Sequence, residues 1–177
     1  MAERYVESGI PFLRSQNIRA FEIALGDVKF IDDGFHRELT KSILGPGDVA
    51  IVRTGYPGTA AVIPQSLPVA NCSDLVIARP KNVISPEFLV MFLNSSFGKS
   101  MVAEKAVGAA QKHFNVGAAK EVDFSFPPIA EQERLVAQAK WMRSRMGQLE
   151  SIYEMKLADI ANIRQSLLQK AFSGELA

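Results

Sequence analysis

The sequence predicts an α+β protein: a mixed, β-rich domain with short helices over residues 1–128, followed by one long coiled-coil α-helix over 129–177. Three observations predict it. Short apolar runs of strand length alternate with Gly- and Pro-containing turns through the first half of the chain. No proline follows Pro128. Beyond it, Leu135, Ala139, Met142, Met146, Leu149, Tyr153, Lys156, Ile160, Ile163 and Leu167 recur alternately four and three residues apart, which is a heptad seam.

In chain order, Ile10 to Arg14 is expected to be extended and to lead into a polar loop, and Val28 to Ile31 is β-rich. Leu44-Gly45-Pro46-Gly47-Asp48 is a turn, Val49 to Arg53 an apolar strand, and Thr54-Gly55-Tyr56-Pro57-Gly58 a second turn. Residues 60–63 and 75–78 continue the β pattern, and Asn71-Cys72-Ser73-Asp74 between them reads as a turn. Ser85-Pro86-Glu87 starts a helix, with Ser at the N-cap, Pro at the first helical position and an acid in the first turn. Phe88, Leu89, Phe92 and Leu93 give that helix an apolar face, and a second helical stretch covers 97–106. Gly108 to Asn115 is a loop, Asn115 caps a short helix through Glu121, and residues 123–126 form a final strand. The long helix then runs to a stop at Ser173-Gly174. At about 1.5 Å per residue it extends roughly 65 Å. A seam of that length needs a partner helix, with Gly147 and Lys156 its weak points.

Composition excludes several classes. A hydrophobic content of 47% supports a packed core, and a net charge of +1 gives no global positive field. A single cysteine, Cys72, builds no disulfide framework or cysteine-rich zinc site. With a polar N-terminus and no apolar run of membrane length, the expectation is a cytoplasmic protein that does not engage a membrane. The only histidines, His36 and His113, are far apart. No nucleophile elbow, zinc-protease motif, phosphate loop or dinucleotide loop occurs. Phe126-Pro127-Pro128-Ile129 only superficially matches the Asn/Asp-Pro-Pro-aromatic motif of amino-methyltransferases, because Phe offers no acceptor to an amino group. The expectation is a non-enzymatic chain without a metal or cofactor of its own.

Three segments carry chemistry suited to nucleic acid. Arg14-Ser15-Gln16-Asn17-Ile18-Arg19 follows a strand, and Arg pairs with guanine as Gln and Asn pair with adenine. Arg53, Thr54 and Tyr56 lie at a glycine-rich turn, where backbone approaches a ligand closely. Lys112 and His113 follow the small residues 108–110. The alternatives are a solvated turn with caps for the first, a tight surface turn for the second, and for the third a loop that Phe114 anchors in the core with His113 merely exposed.

Taken in order, these pieces resemble the specificity subunit of type I restriction–modification systems. The resemblance is carried by Gly9 to Arg19, Gly47 to Gly58, Asn71 to Asp74, Phe92-Leu93-Asn94-Ser95, Gly108 to Asn115, Pro127 to Arg134 and Ile163 to Leu176. It implies that residues 1–128 are one DNA target-recognition domain and that the helix is a spacer. In the family, two such domains are held apart by an antiparallel coiled coil that also docks methyltransferase subunits. Those subunits carry S-adenosylmethionine, and a motor-nuclease subunit cuts. The expected partners are therefore double-stranded DNA, methyltransferase subunits, the motor-nuclease subunit and a second copy of the chain. The expected DNA contacts are Arg14, Ser15, Gln16, Asn17, Arg19, Arg53, Thr54, Tyr56, Lys112 and His113. A full family member has two recognition domains and two helices, so a half-length subunit or the C-terminal half of a split or truncated gene is expected. The alternative is a truncated remnant that scaffolds partner proteins without reading DNA.

Overall fold

The computed structural model describes residues 2–106 and 113–174, which divide into two compact units, Met1–Val136 and Ala137–Ala177. The division falls inside the long helix rather than at the Pro127-Pro128 step.

Among the described residues, the first unit holds ten short strands: β1 (Tyr5–Val6), β2 (Ile10–Leu13), β3 (Ile18–Arg19), β4 (Glu22–Ile23), β5 (Lys29–Ile31), β6 (Ile43–Leu44), β7 (Val49–Val52), β8 (Ala60–Val62), β9 (Ala70–Cys72) and β10 (Leu75–Ala78). Its helices are α1 (Asp33–Glu38), α2 (Pro86–Asn94), α3 (Ser96–Lys105), α4 (Val116–Lys120) and the start of α5 (Ile129–Ser173). A five-stranded sheet has the order β1-β5-β2-β9-β6, and a three-stranded sheet the order β10-β7-β8. In the first, β2 and β9 run parallel; the second is antiparallel throughout. A β3–β4 ribbon stands apart, tied to β8 where Phe21 N donates to Ala60 O at 3.0 Å.

Alternation along β7 sets the layers. Ala50 and Val52 join Leu13, Leu44, Ile63 and Leu75 in a core between the two sheets. Val49 and Ile51 face the other way, onto Val90, Leu93, Val102 and Phe114 of the helical side. All four β7 residues are buried, which is why this strand reads as a continuous apolar run rather than an alternating one. On the far face of the larger sheet, Phe12 and Ile31 pack against Phe35 of α1.

The helix starts follow the expected caps. Ser85 Oγ accepts from Phe88 N at 3.0 Å, and Asn115 Oδ1 accepts from Ala118 N at 2.9 Å. At the α2–α3 elbow a Cβ on Gly98 would stand 2.1 Å from Phe92 O, so only glycine fits.

Two expectations are corrected. Residues 123–126 form no strand; instead Phe124 stacks on Phe92 with centroids 3.9 Å apart and rings 7° from parallel. Asn71 and Cys72 are not turn residues but the end of β9, and only Ser73-Asp74 turns. Asn71 is wholly buried. Its Oδ1 accepts from His36 Nδ1, and its Nδ2 donates to Leu39 O and Ser42 Oγ, both at 3.1 Å. That network takes up His36. Cys72 is buried too, and burial is the main cause pushing its thiol up to about 12, so it does not act as a nucleophile.

In the second unit, every described residue of α5 from Lys140 onward is exposed. No helix among the described residues is long and apolar enough to cross a membrane.

Candidate nucleic-acid interface

The polar loop after β2 is a tight 3-10 turn over Ser15–Asn17. Asn17 builds it: Oδ1 accepts from Arg14 N and Nδ2 donates to Ala24 O, both at 3.0 Å, and the residue is only 2% exposed. Its amide edge therefore faces the protein's own main chain, not a ligand. Arg14 Nη2 donates to Asp27 O at 2.9 Å and lies 3.4 Å from Asp27 Oδ2, while Gln16 Nε2 donates to that same oxygen at 2.6 Å. Lys29 Nζ lies 3.7 Å from Asp27 Oδ1. One carboxylate thus organises an arginine, an amide and a lysine, none of which the sequence linked to it.

The turn between β7 and β8 holds the second segment. Gly55 and Gly58 have φ of 85° and 80°. At Gly58 a Cβ would come within 2.9 Å of Val102, so the turn lies directly on α3. Tyr56 at its tip is 83% exposed. Thr54 Oγ1 and His113 Nδ1 share a hydrogen bond of 2.9 Å, and Phe114 N donates to Arg53 O at 2.9 Å. The residue before His113, Lys112, lies outside the described residues.

The segments meet at the Ser73-Asp74 turn. Asp74 adopts φ of 55°, a left-handed conformation that Asp tolerates. Its carbonyl accepts from Ser15 Oγ at 3.1 Å and from Arg53 N at 3.4 Å, and Ser73 N donates to Leu13 O at 3.0 Å. The ends of β2, β7 and β9 and the chain at 113–114 thereby form one connected edge. Arg14 Nε and Arg53 Nε are both buried, and among the described residues neither has a hydrogen-bond partner. Buried donors of this kind are rare in folded proteins. Arg19 stands on the separate ribbon, exposed and opposite Glu22.

Sequence reasoning missed two residues at this edge, Asp27 and Lys99. Lys99 Nζ donates to Thr59 Oγ1 at 2.7 Å. Nothing in the local sequence marks either; both contacts are made across the fold. Among the described residues, no group of three or more His, Cys, Asp or Glu side chains is arranged to hold a metal ion.

The start of α5 is locked by Gln132, which is fully buried. Its Oε1 accepts from Ser85 N at 2.9 Å, and its Nε2 donates to Val83 O at 3.0 Å and Pro127 O at 2.8 Å. Further along, seam residues Met142, Met146, Leu149, Tyr153, Ile160, Ile163 and Leu167 are exposed in the single chain, while Leu135 and Ala139 are half-buried.

No family model matches the chain. Among curated proteins it is similar to the EcoBI specificity subunit of a type I restriction enzyme from Escherichia coli, at 24% identity over 97% of this chain and 36% of that protein. The EcoKI specificity subunit of Escherichia coli strain K12 is 27% identical over 96% of this chain and 38% of its own length. The StySPI specificity subunit of Salmonella potsdam is 26% identical over 94% and 36%. The chain resembles type I specificity subunits along nearly its whole length. It spans little more than a third of the length of these relatives. Among solved structures, a chain from a study of assembly and conformational transition of the type I R-M system superposes with a TM-score of 0.71 at 18% identity, covering 97% of this chain and 41% of that one. The HsdS subunit from Thermoanaerobacter tengcongensis gives 0.62 at 20% identity, over 79% and 37%. The α+β fold with a long C-terminal helix is thus the fold of the type I specificity subunit.

Proposed function

We propose that the chain is the DNA-recognition subunit of a type I restriction–modification system, non-catalytic itself, and that it reads one half of a bipartite target. The observation that carries this is the connected edge around Asp74. Segments whose residues suit bases and phosphates are joined there by the Ser15 hydroxyl and by main-chain hydrogen bonds, and among the described residues the buried Nε atoms of Arg14 and Arg53 have no hydrogen-bond partner. Similarity to specificity subunits over 94% or more of the chain supports the same reading.

The exposed seam of α5 pairs antiparallel with a second copy, so that each copy reads one half-site of an inverted repeat. The paired helices also scaffold methyltransferase subunits, which supply S-adenosylmethionine, and through them a motor-nuclease subunit. The setting is cytoplasmic. The remnant-scaffold alternative gains no support, since the similarity covers the globular unit as well as the helix.

Selection of bound duplexes from a random-sequence pool tests the proposal. The expected product is an inverted repeat with an unread gap, and duplexes without any sequence preference would sink it. Within the selected site, Arg53→Ala is expected to cost about 1–3 kcal/mol of affinity and to relax one base position.

A further inference from the structure

Among the described residues, Lys99 is a cation without a counter-charge, beside the turn that Arg53 opens. It lies in the first turns of α3, which Ser95 caps by accepting from Gly98 N at 3.0 Å. Among the described residues no carboxylate comes within ion-pairing distance of its ammonium. Its hydrogen bond among the described residues is the 2.7 Å contact to Thr59 Oγ1, at the end of the turn. An ammonium has three donors, so most of its capacity is unused. Partial burial holds its pKa below the ordinary lysine value, and no neighbouring charge offsets that. A partly desolvated ammonium gains from an anion placed beside it.

The turn does not need this charge to hold its shape. Val52 N donates to Thr59 O at 2.8 Å and Gly58 N to Val52 O at 3.0 Å, which closes it. Asn94 clamps the next residue from α2: Oδ1 accepts from Ala60 N at 3.2 Å, and Nδ2 donates to Ala60 O at 2.8 Å. The Gly58–Val102 approach then seats the turn on α3. Lys99 is therefore held in place by a turn that is already complete.

We propose that Lys99, steadied by Thr59, is a further phosphate-binding residue of this chain. It takes a backbone phosphate of the duplex whose bases the 53–58 turn reads. A compact, non-forked cation suits a phosphate better than a base edge. The inference rests on the DNA-reading function proposed above.

The test uses the full chain, a random-sequence duplex pool and a duplex selected from it, with affinity measured across a salt series. Lys99→Gln is expected to weaken both duplexes by the same factor and to lower the slope of log K against log salt by about 0.9, the loss of one phosphate contact. Lys99→Arg keeps the slope. Lys99→Met retains the aliphatic stem and serves as a second charge-removing variant if Lys99→Gln fails to fold. A folded variant with the wild-type slope overturns the inference and leaves the DNA-reading function standing. A loss confined to the selected duplex makes Lys99 a base contact and overturns the phosphate assignment. A wild-type chain that binds neither duplex overturns both.

Discussion

Asp27 sets what Arg14 and Gln16 can offer to a ligand. Its carboxylate holds both side chains in place, and it does so at a largely exposed position. An exposed ion pair is worth about 0.2–1 kcal/mol, little enough for a phosphate or base to displace. Asp27→Asn is therefore expected to raise affinity for random duplex by up to about fivefold at low salt. The same change lets Arg14 and Gln16 wander, so discrimination between selected and random duplex should fall; filter binding on both measures the ratio. Residue types at this loop were legible in the sequence, but their directions were not. Arg14, Gln16 and Asn17 belong to one polar run, yet Asn17 turns inward to hold Arg14 N and Ala24 O. Asn71 and Gln132 do the same elsewhere, each bonded to main chain from a buried position. A buried amide and a recognising amide look alike in a sequence, because the difference lies in which backbone groups the fold brings near.

Elements were legible where local signals and burial agree. Ser85 and Asn115 cap their helices as expected, and β7 was readable because both its faces are covered. β9 was not, because Asn, Ser and Asp favour turns. Pairing with β2 on one side and β6 on the other overrides that preference for Asn71. The alternation of 123–126 suggested a strand, but Phe124 finds its apolar contact on Phe92 of α2 instead of in a ladder. The heptad of α5 is the clearest periodic signal in the chain, and its exposed side chains set up a direct test. Leu149→Asp is expected to weaken self-association on the order of a hundredfold, corresponding to about 3 kcal/mol, as read by sedimentation. Lys156→Leu should act oppositely, tightening association by removing the charged position from the seam. Lys156 Nζ lies 5.9 Å from the centre of the Tyr153 ring, which gives its charge a neighbour within its own helix.

At the scale of the whole molecule, two compact units imply two stabilities. The first has its own layered core; the second exposes every described residue beyond Ala139. A helix with its apolar seam in water depends on a partner, and association makes apparent stability depend on concentration. Trp141, the only tryptophan, lies in the second unit. Its emission is expected to report a melting transition that rises with protein concentration. Hydrogen exchange at the β7 amides should instead report an opening free energy that does not change with concentration. Coincident, concentration-independent behaviour of both probes would contradict a partnered helix. The joint at the Asp74 edge bears on how such a chain can diversify. Apart from the Ser15 hydroxyl on Asp74 O, its links join main-chain groups: Arg53 N to Asp74 O, Phe114 N to Arg53 O and Ser73 N to Leu13 O. A link of that kind is indifferent to most side-chain exchanges. Side chains at this edge other than Ser15, Asp74 and the turn glycines can therefore be exchanged while the joint that aims them stays the same.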